Sequence, residues 1–243
     1  MRLAIQADEA LDRILPFRKA GLNVHFVDDL APFQIRKVRI LNGAHTLMAP
    51  MGILRGFTHV RAVLQDVALS SHIRAAIDSE IIPSLTLDSE ELRVYAETVW
   101  QRFGNPFIEH RLLDISMNGI SKFRTRVLPT VFAYAQQHAE LPASIVQSWA
   151  ELIRLYKVRA SMEAGGSYIG NTWQGKEIVI RDDPAVLQVF QQIWESFDLR
   201  VLSLRDLVDG LLTNTTLWGQ DLSGMDNLRS QLCSHLEEME GVR

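Results

Sequence analysis

The stretch Asp28-Asp-Leu-Ala-Pro-Phe-Gln-Ile-Arg-Lys-Val-Arg-Ile-Leu-Asn-Gly-Ala-His-Thr46 contains the strongest helix signal in the chain. Apolar residues recur at helical spacing from Phe33 to about Met48. Two aspartates at the start can cap a helix, and Pro32 suits its first turn. Pro50 and Gly52 are predicted to end it. An amphipathic helix therefore opens the secure part of the fold.

Outward from this helix, the same periodicity continues between Pro, Gly, Asp and Ser residues. Further helices are predicted at about 60–81, 89–102, 106–121, 124–138, 142–157, 184–196, 203–213 and 225–240. Asp88-Ser-Glu-Glu91 has the pattern of a capping box, and Asp182-Asp-Pro184 that of a helix entry. The predicted fold class is therefore mainly α.

Two short segments have the pattern of strands instead. Residues 22–27 alternate apolar and polar side chains, which predicts a short strand near the N-terminus. Glycines divide residues 165–181 into two apolar runs, which predicts a small β-hairpin at 167–181. We expect one helical domain over 1–243, with 1–30 as a lead-in and 165–181 as a hairpin insertion. No G-x-G-x-x-G follows a strand, so no Rossmann domain is predicted.

Composition restricts the classes of function. The 243 residues are 47% hydrophobic and 22% charged, with a formal net charge of −4, which is typical of a globular protein and not of one that binds nucleic acid or an anionic membrane. There is no basic, apolar leader at the start and no apolar run long enough to span a membrane. Cys233 is the only cysteine, so an intramolecular disulfide is excluded and a reducing, cytoplasmic setting is expected.

Metal chemistry is not predicted. None of the seven histidines forms an i,i+3 or i,i+4 pair, the spacing that places two imidazoles on one helix face around zinc. Cys233 stands in an apolar helical pattern near the C-terminus, where packing is the simpler interpretation than a nucleophile.

Three polar residues of the first helix form a candidate catalytic set. At about 100° per residue, Lys37, His45 and Asn42 fall near 0°, 80° and 140°, so one half of the helix presents all three. An amine, an imidazole and a carboxamide suit proton transfer from a hydroxyl and hydrogen bonding to its oxygen. The spacing alone leaves another reading open: a solvated lysine, a locally bonded asparagine and a half-buried histidine.

The same stretch resembles the signature of the polyol-specific long-chain dehydrogenases, in which Asn follows Lys by five residues and His follows it by eight. The amino-acid sequence of this stretch is closer to the tagaturonate reductase (altronate oxidoreductase) branch than to the mannitol dehydrogenases. Further blocks resemble that branch in the same order: Lys19-Ala-Gly-Leu-Asn-Val24, Arg102-Phe-Gly-Asn-Pro-Phe107, His110-Arg-Leu-Leu-Asp-Ile115, Ser121-Lys-Phe-Arg-Thr-Arg-Val-Leu-Pro129 and Leu217-Trp-Gly-Gln-Asp-Leu222.

The resemblance implies roles for these residues. Lys37 would be the general base, Asn42 would steady the oxyanion, and His45 would hold the substrate. For a uronate, a basic group is expected to bind the carboxylate. Lys122 is favoured for it, followed by Arg126, with His110 and Arg111 nearby; the alternative is a solvated basic face paired with neighbouring acids. The predicted substrate-binding residues are therefore Lys122, Arg126, His110 and Arg111.

The resemblance also implies NAD, yet the glycine-rich cofactor domain of the family has no counterpart in this sequence. We therefore expect the substrate-binding half of a sugar-acid oxidoreductase for tagaturonate and altronate, inactive by itself. A separate Rossmann-domain chain is an expected partner, and self-association is expected if the surface facing that domain is bare. The alternatives are a fructuronate or mannitol dehydrogenase domain, and a non-catalytic remnant or binding module.

Overall fold

Helices make up most of the computed structural model, which describes residues 3–6, 10–161 and 165–241. The α-helices are α1 Leu11–Ile14, α2 Ala31–Arg36, α3 Gly43–Leu54, α4 Val60–Gln65, α5 Val67–Ala75, α6 Ser89–Phe103, α7 Leu112–Ser116, α8 Gly119–Arg126, α9 Leu128–His138, α10 Ala143–Leu155, α11 Pro184–Asp198, α12 Leu204–Leu212, α13 Thr215–Trp218 and α14 Leu228–Glu240. Two π-helical turns, Lys37–Asn42 and Ala76–Ile81, lie between them. The mainly α prediction is confirmed.

Five short strands form two sheets within the described residues. β1 Leu3–Gln6 pairs in parallel with β2 Val24–Val27. β3 Arg159–Ser161, β4 Ser167–Asn171 and β5 Glu177–Ile180 form an antiparallel sheet in chain order. The strand at 22–27 and the hairpin are confirmed. β1 and β3 were not predicted, because four and three residues are too few to show an alternating pattern.

The first helix is longer than predicted. α2, the π-helical turn Lys37–Asn42 and α3 follow without a break, and α3 passes through Pro50 to Leu54. Pro50 removes one backbone hydrogen-bond donor. Every α3 residue except His45 is nevertheless buried. Burial of a helix on nearly all sides outweighs the missing hydrogen bond, so the predicted end at Met48 was wrong.

The predicted helix at 60–81 is divided at Asp66. The Asp66 carboxylate accepts a hydrogen bond from the Leu69 amide at 2.9 Å, and so caps α5. The predicted helix at 106–121 was also wrong. Its first residues are irregular, and it breaks at Asn118, whose φ of 55° lies in the left-handed region. Residues 119–126 form α8, which a second break at Val127 separates from α9.

The core is built around α10, which packs against α3 on one side and α14 on another. Trp149 of α10 is fully buried. Its ring lies 4.9 Å from Phe123 of α8 and 5.1 Å from Trp218 of α13, measured between centroids. α8 is thereby held beside α3, the helix that follows Asn42. No helix in the described part of the chain is both long and apolar enough to cross a bilayer.

Candidate active site

The π-helical turn, called the π-turn below, has Lys37 at its start and Asn42 at its end. Its backbone hydrogen bonds span five residues, so a residue and its fifth neighbour lie nearly above one another. In an α-helix the same spacing gives about 140°. The angle between Lys37 and Asn42 around the helix axis is therefore smaller in the π-turn than the α-helical spacing predicted. Ile40 is fully buried within it and anchors the turn to the core.

Lys37 itself is exposed and Asn42 is half-buried. Among the residues that the structure describes, no hydrogen bond or ion pair involves the Lys37 ammonium. The Asn42 carbonyl accepts a hydrogen bond from the Thr46 hydroxyl at 2.8 Å, one turn further on. This contact ties the end of the π-turn to α3, while the Lys37 amine faces outward.

His45 lies one residue before Thr46, in a mixed aromatic and cationic environment. Its ring centroid is 4.4 Å from Phe103 and 5.4 Å from His110, which it meets edge-on. The Nε2 atom is buried and has no hydrogen-bond partner among the described residues. Burial lowers the pKa of His45 to about 3, and the charges of His110, Arg126, Arg102 and Lys122 act in the same direction. The imidazole is therefore neutral near pH 7.

Lys122 and Arg126 lie one turn apart on α8. The Lys122 ammonium donates a hydrogen bond to the Ile115 carbonyl at 2.8 Å. The Arg126 guanidinium reaches the Thr46 hydroxyl at 3.4 Å. Burial lowers the pKa of both side chains; for Lys122 the charge of Arg126 adds to this and that of Asp182 opposes it. Two of the predicted substrate-binding residues thus lie beside the His45 helix.

Arg102 completes this group and was not singled out from the sequence. It lies in the last turn of α6, next to Phe103, and its charge lowers the pKa of both His45 and His110. We call the following four side chains the basic cluster: Arg102, His110, Lys122 and Arg126. In residues 3–6, 10–161 and 165–241, none of the four makes an ion pair with a carboxylate. Only its place in a resembling block marked Arg102 in the sequence.

Arg111 does not join the basic cluster by any described contact. Its side chain is exposed at the start of α7, and its backbone forms an antiparallel bridge with His59. The predicted site residues thus divide into three positions. His45, His110, Lys122 and Arg126 lie together, Lys37 and Asn42 mark the π-turn, and Arg111 stands apart.

An unpaired group of cations next to a neutral imidazole favours an anionic ligand. A carboxylate would replace the missing acidic partners of the basic cluster. Two cavities of about 310 and 350 Å³ lie elsewhere, around the part-buried Arg55–Glu151 ion pair and beside Trp194. Neither of them contains a residue of the basic cluster.

The described residues do not suit a metal ion or a dinucleotide. They contain no group of three or more His, Cys, Asp or Glu side chains able to hold a metal. A dinucleotide needs a glycine-rich turn between a parallel strand and a helix. After β2 the chain has Asp28 and Asp29 instead, and the Asp29 carboxylate already accepts a hydrogen bond from the Ala31 amide at 2.8 Å. Those acids would repel a pyrophosphate.

Comparison with known proteins places the chain in a family. The sequence profile of the mannitol dehydrogenase C-terminal domain matches residues 29–240, which is most of the chain. The chain belongs to this family, and the resemblance predicted from the π-turn residues and the later blocks is confirmed.

Similar curated proteins are altronate oxidoreductases. The enzyme of Yersinia enterocolitica is 37% identical over 233 residues, which cover 96% of this chain and 46% of the relative. The enzyme of Pectobacterium carotovorum is 38% identical with the same coverage, and that of Bacillus subtilis is 37% identical over 235 residues, 97% of this chain and 44% of the relative. The chain thus spans less than half the length of the curated relatives it matches.

Solved structures support the same fold. Pseudomonas fluorescens mannitol 2-dehydrogenase, in a ternary complex with NAD and D-mannitol, superposes with a TM-score of 0.74 at 20% identity, over 91% of this chain and 41% of that one. A D-sorbitol dehydrogenase in substrate-free form gives 0.67 at 21% identity, over 93% and 41%. At this identity the superposition establishes the fold and not the substrate.

Proposed function

We propose that this chain is the substrate-binding part of an NAD-dependent sugar-acid oxidoreductase that interconverts altronate and tagaturonate. One observation carries the proposal: the π-turn with Lys37 and Asn42 leads directly into His45, which lies against a basic cluster that makes no ion pair with a carboxylate among the described residues. The names of the curated relatives support the substrate.

The chemical roles follow from the side chains. Lys37 takes the proton from the reacting hydroxyl in the oxidation and returns it in the reduction. The Asn42 amide donates a hydrogen bond to that oxygen as charge develops, a contribution of roughly 3 kcal/mol if it resembles other oxyanion donors. His45, held neutral, hydrogen-bonds a neighbouring hydroxyl through its partnerless Nε2. These three residues bind and move protons on one sugar carbon.

The nicotinamide that the family implies would accept the hydride, and the described residues offer it no cradle. We therefore expect the chain to be inactive until a cofactor-binding part, on the same or another polypeptide, covers the π-turn. The exposure of Lys37 supports this expectation, because a general base works best in a site from which water is excluded.

The basic cluster favours a sugar acid over a neutral polyol. Several basic side chains that make no described ion pair can bind one carboxylate, whereas a polyol supplies no charge to pair with them. A mannitol or fructuronate dehydrogenase domain is the second candidate, and the solved mannitol 2-dehydrogenase fold is the observation in its favour. The substrate's carboxylate is therefore the feature that separates altronate from mannitol, whereas fructuronate carries a carboxylate as well.

Calorimetric titration of altronate, tagaturonate, mannitol and NADH into the purified chain tests this function. We expect altronate or tagaturonate to bind, and NADH to show no binding. Preferential binding of mannitol would support the second candidate instead. No binding of any sugar would favour a remnant, or a site that forms only with the cofactor-binding part.

Lys37 provides the mutational test. In an enzyme that joins this chain to a cofactor-binding part, Lys37→Ala should abolish turnover and leave NADH affinity unchanged, because the amine moves the proton and does not touch the dinucleotide. Lys176→Ala, at an exposed position of the hairpin, is the matched control and should keep full turnover. Turnover in Lys37→Ala close to that of the control would contradict the assigned role.

A further inference from the structure

The N-terminus of α8 is capped from a distance. Most capped helices here use the residue that precedes them, as Asp88 does for α6 and Ser203 for α12. In front of α8 stands Asn118, whose left-handed backbone makes no side-chain cap. The first amides of α8 are instead bound by Tyr156, 37 positions away, and Asp182, 62 positions away.

Tyr156 and Asp182 form one connected group. The Gly119 amide donates to the Tyr156 hydroxyl at 3.1 Å, and the Ile120 amide donates to Asp182 Oδ2 at 3.2 Å. The Tyr156 hydroxyl donates in turn to the same Oδ2 atom at 2.5 Å. Tyr156 is fully buried at the end of α10, so α8 is fixed to the core of the molecule.

Gly119 permits this close approach. A Cβ atom at this position would lie 2.8 Å from the Tyr156 hydroxyl oxygen, which is closer than real contacts allow. The glycine, the tyrosine and the aspartate therefore depend on one another. A local cap would have satisfied the same amides without burying a hydroxyl next to a carboxylate, which carries a desolvation cost. Unlike a local cap, this arrangement places the carboxylate of Asp182, from a distant part of the chain, at the start of α8.

That difference is visible at Lys122, one turn into α8. The charges acting on the Lys122 ammonium are those of Arg126, on the same helix, and Asp182, two residues before the first residue of α11. Burial and Arg126 disfavour the charged ammonium, whereas Asp182 favours it. The Asp182 carboxylate, at the start of α8, thus acts on Lys122, the residue that was predicted to bind substrate.

We propose that Tyr156 and Asp182 are positioning residues for Lys122: their hydrogen bonds to the first amides of α8 hold this helix, and with it the Lys122 side chain, next to the candidate site. This inference rests on the proposed function, in which Lys122 binds the substrate carboxylate. Neither residue touches the substrate, and each acts through Lys122.

The test separates charge from geometry. Asp182→Asn keeps one acceptor oxygen for Ile120 and Tyr156 and removes the charge together with the acceptor of the Asp183 amide, while Tyr156→Phe keeps the charge and removes the hydroxyl. Asp183→Ala is the matched control, because it removes the cap of α11 one residue away and makes no described side-chain hydrogen bond to α8. The Lys122 pKa is measured by NMR on ¹³C-methylated lysines, with the signal assigned by Lys122→Arg. Altronate and mannitol affinities are measured by calorimetry.

We expect Asp182→Asn to lower the Lys122 pKa and Asp183→Ala to leave it unchanged. Tyr156→Phe should weaken altronate binding about tenfold, since a held ammonium loses its alignment, and leave mannitol unaffected. An unchanged Lys122 pKa in Asp182→Asn, or equal weakening of altronate and mannitol in Tyr156→Phe, would overturn the inference. If the unmodified chain binds no sugar, the same variants are titrated in an enzyme that joins this chain to a cofactor-binding part. No altronate binding there would contradict the proposed function, and the Lys122 titration still decides the role of Asp182.

Discussion

At the scale of single residues, His45 connects the core to the candidate chemistry. Its ring is packed between Phe103 and His110, and only the family signature distinguished it from a histidine of the core. Packing of this kind keeps the imidazole neutral. The proposed hydrogen-bonding role requires a neutral imidazole, whereas a role as a charged partner of the substrate would not. In the proposed function, the packing of His45 in the fold and its role toward substrate would thus depend on the same property.

The neutral state of His45 has a consequence for stability. Its folded-state pKa is about 3 against an ordinary value of 6.5, so below pH 6.5 the unfolded chain takes up a proton that the folded chain refuses. The stabilisation is complete above pH 6.5 and is lost progressively as the pH falls toward 3, by at most about 1.4 kcal/mol per pH unit. Urea unfolding at several pH values measures this slope.

His45→Gln should make the slope shallower between pH 6.5 and 4. His138→Gln, at the exposed end of α9, is the control and should leave the slope as it is. An identical slope in His45→Gln and the unmodified chain would show that His45 is protonated in the fold. His72 and His110, whose pKa values are also lowered by burial, contribute to the slope that remains.

Much of the candidate site was proposed from the sequence alone. Lys37, Asn42 and His45 were singled out because their spacing and the residues around them resemble a family signature. Arg102 was missed because a lone arginine at the end of a helix looks like any solvated charge, and its importance comes from the fold that brings α6 to His45. Arg111 was included for the opposite reason: it is next to His110 in sequence, but its side chain is exposed on another side.

At the scale of elements, the π-turn is the feature that sequence periodicity did not reveal. A helix of 24 residues, 31–54, has room for one turn with wider hydrogen-bond spacing while its apolar pattern still looks α-helical. The breaks at Asp66 and Asn118 were missed for a related reason. Each depends on a single polar residue inside an otherwise periodic run, and a side-chain bond or a left-handed backbone decides it.

Thr46 holds the π-turn to α8. Its hydroxyl donates to the Asn42 carbonyl and accepts from the Arg126 guanidinium. Thr46→Val keeps the shape and removes both bonds, so we expect it to lower the free energy of unfolding by about 1–2 kcal/mol. Thr46→Ser keeps the hydroxyl and should recover most of that loss. Urea unfolding of the pair measures the difference, and a serine variant no more stable than the valine variant would contradict this role for the hydroxyl.

At the scale of the whole molecule, one core joins nearly all the helices. Buried side chains run from Ile40 in the π-turn to Leu236 in α14 without a second, separate cluster among the described residues. The site therefore has no domain of its own. Lys122, Arg126 and His45 are held by the same packing that holds the fold together.

Trp149, at the centre of this core, is the position to test. Trp149→Ala should cost about 3–5 kcal/mol, and unfolding followed by circular dichroism and by fluorescence should show a single shared transition. Trp173→Ala, at a half-buried ring under Arg154, should cost clearly less. Two separate transitions in the unmodified chain would mean that the core is divided.

A π-turn contains one residue more than an α-helix needs for the same turn, and that surplus sets an angular offset between the two halves of the long helix. If the same residues closed into a regular α-helix, α3 would keep its buried position. The segment bearing Lys37 would instead turn around the common axis until Lys37 and Asn42 stood about 140° apart. The amine would then point away from Asn42 with no side chain exchanged. In this fold, the hydrogen-bond spacing ahead of α3 is as much a determinant of chemistry as the identity of its residues.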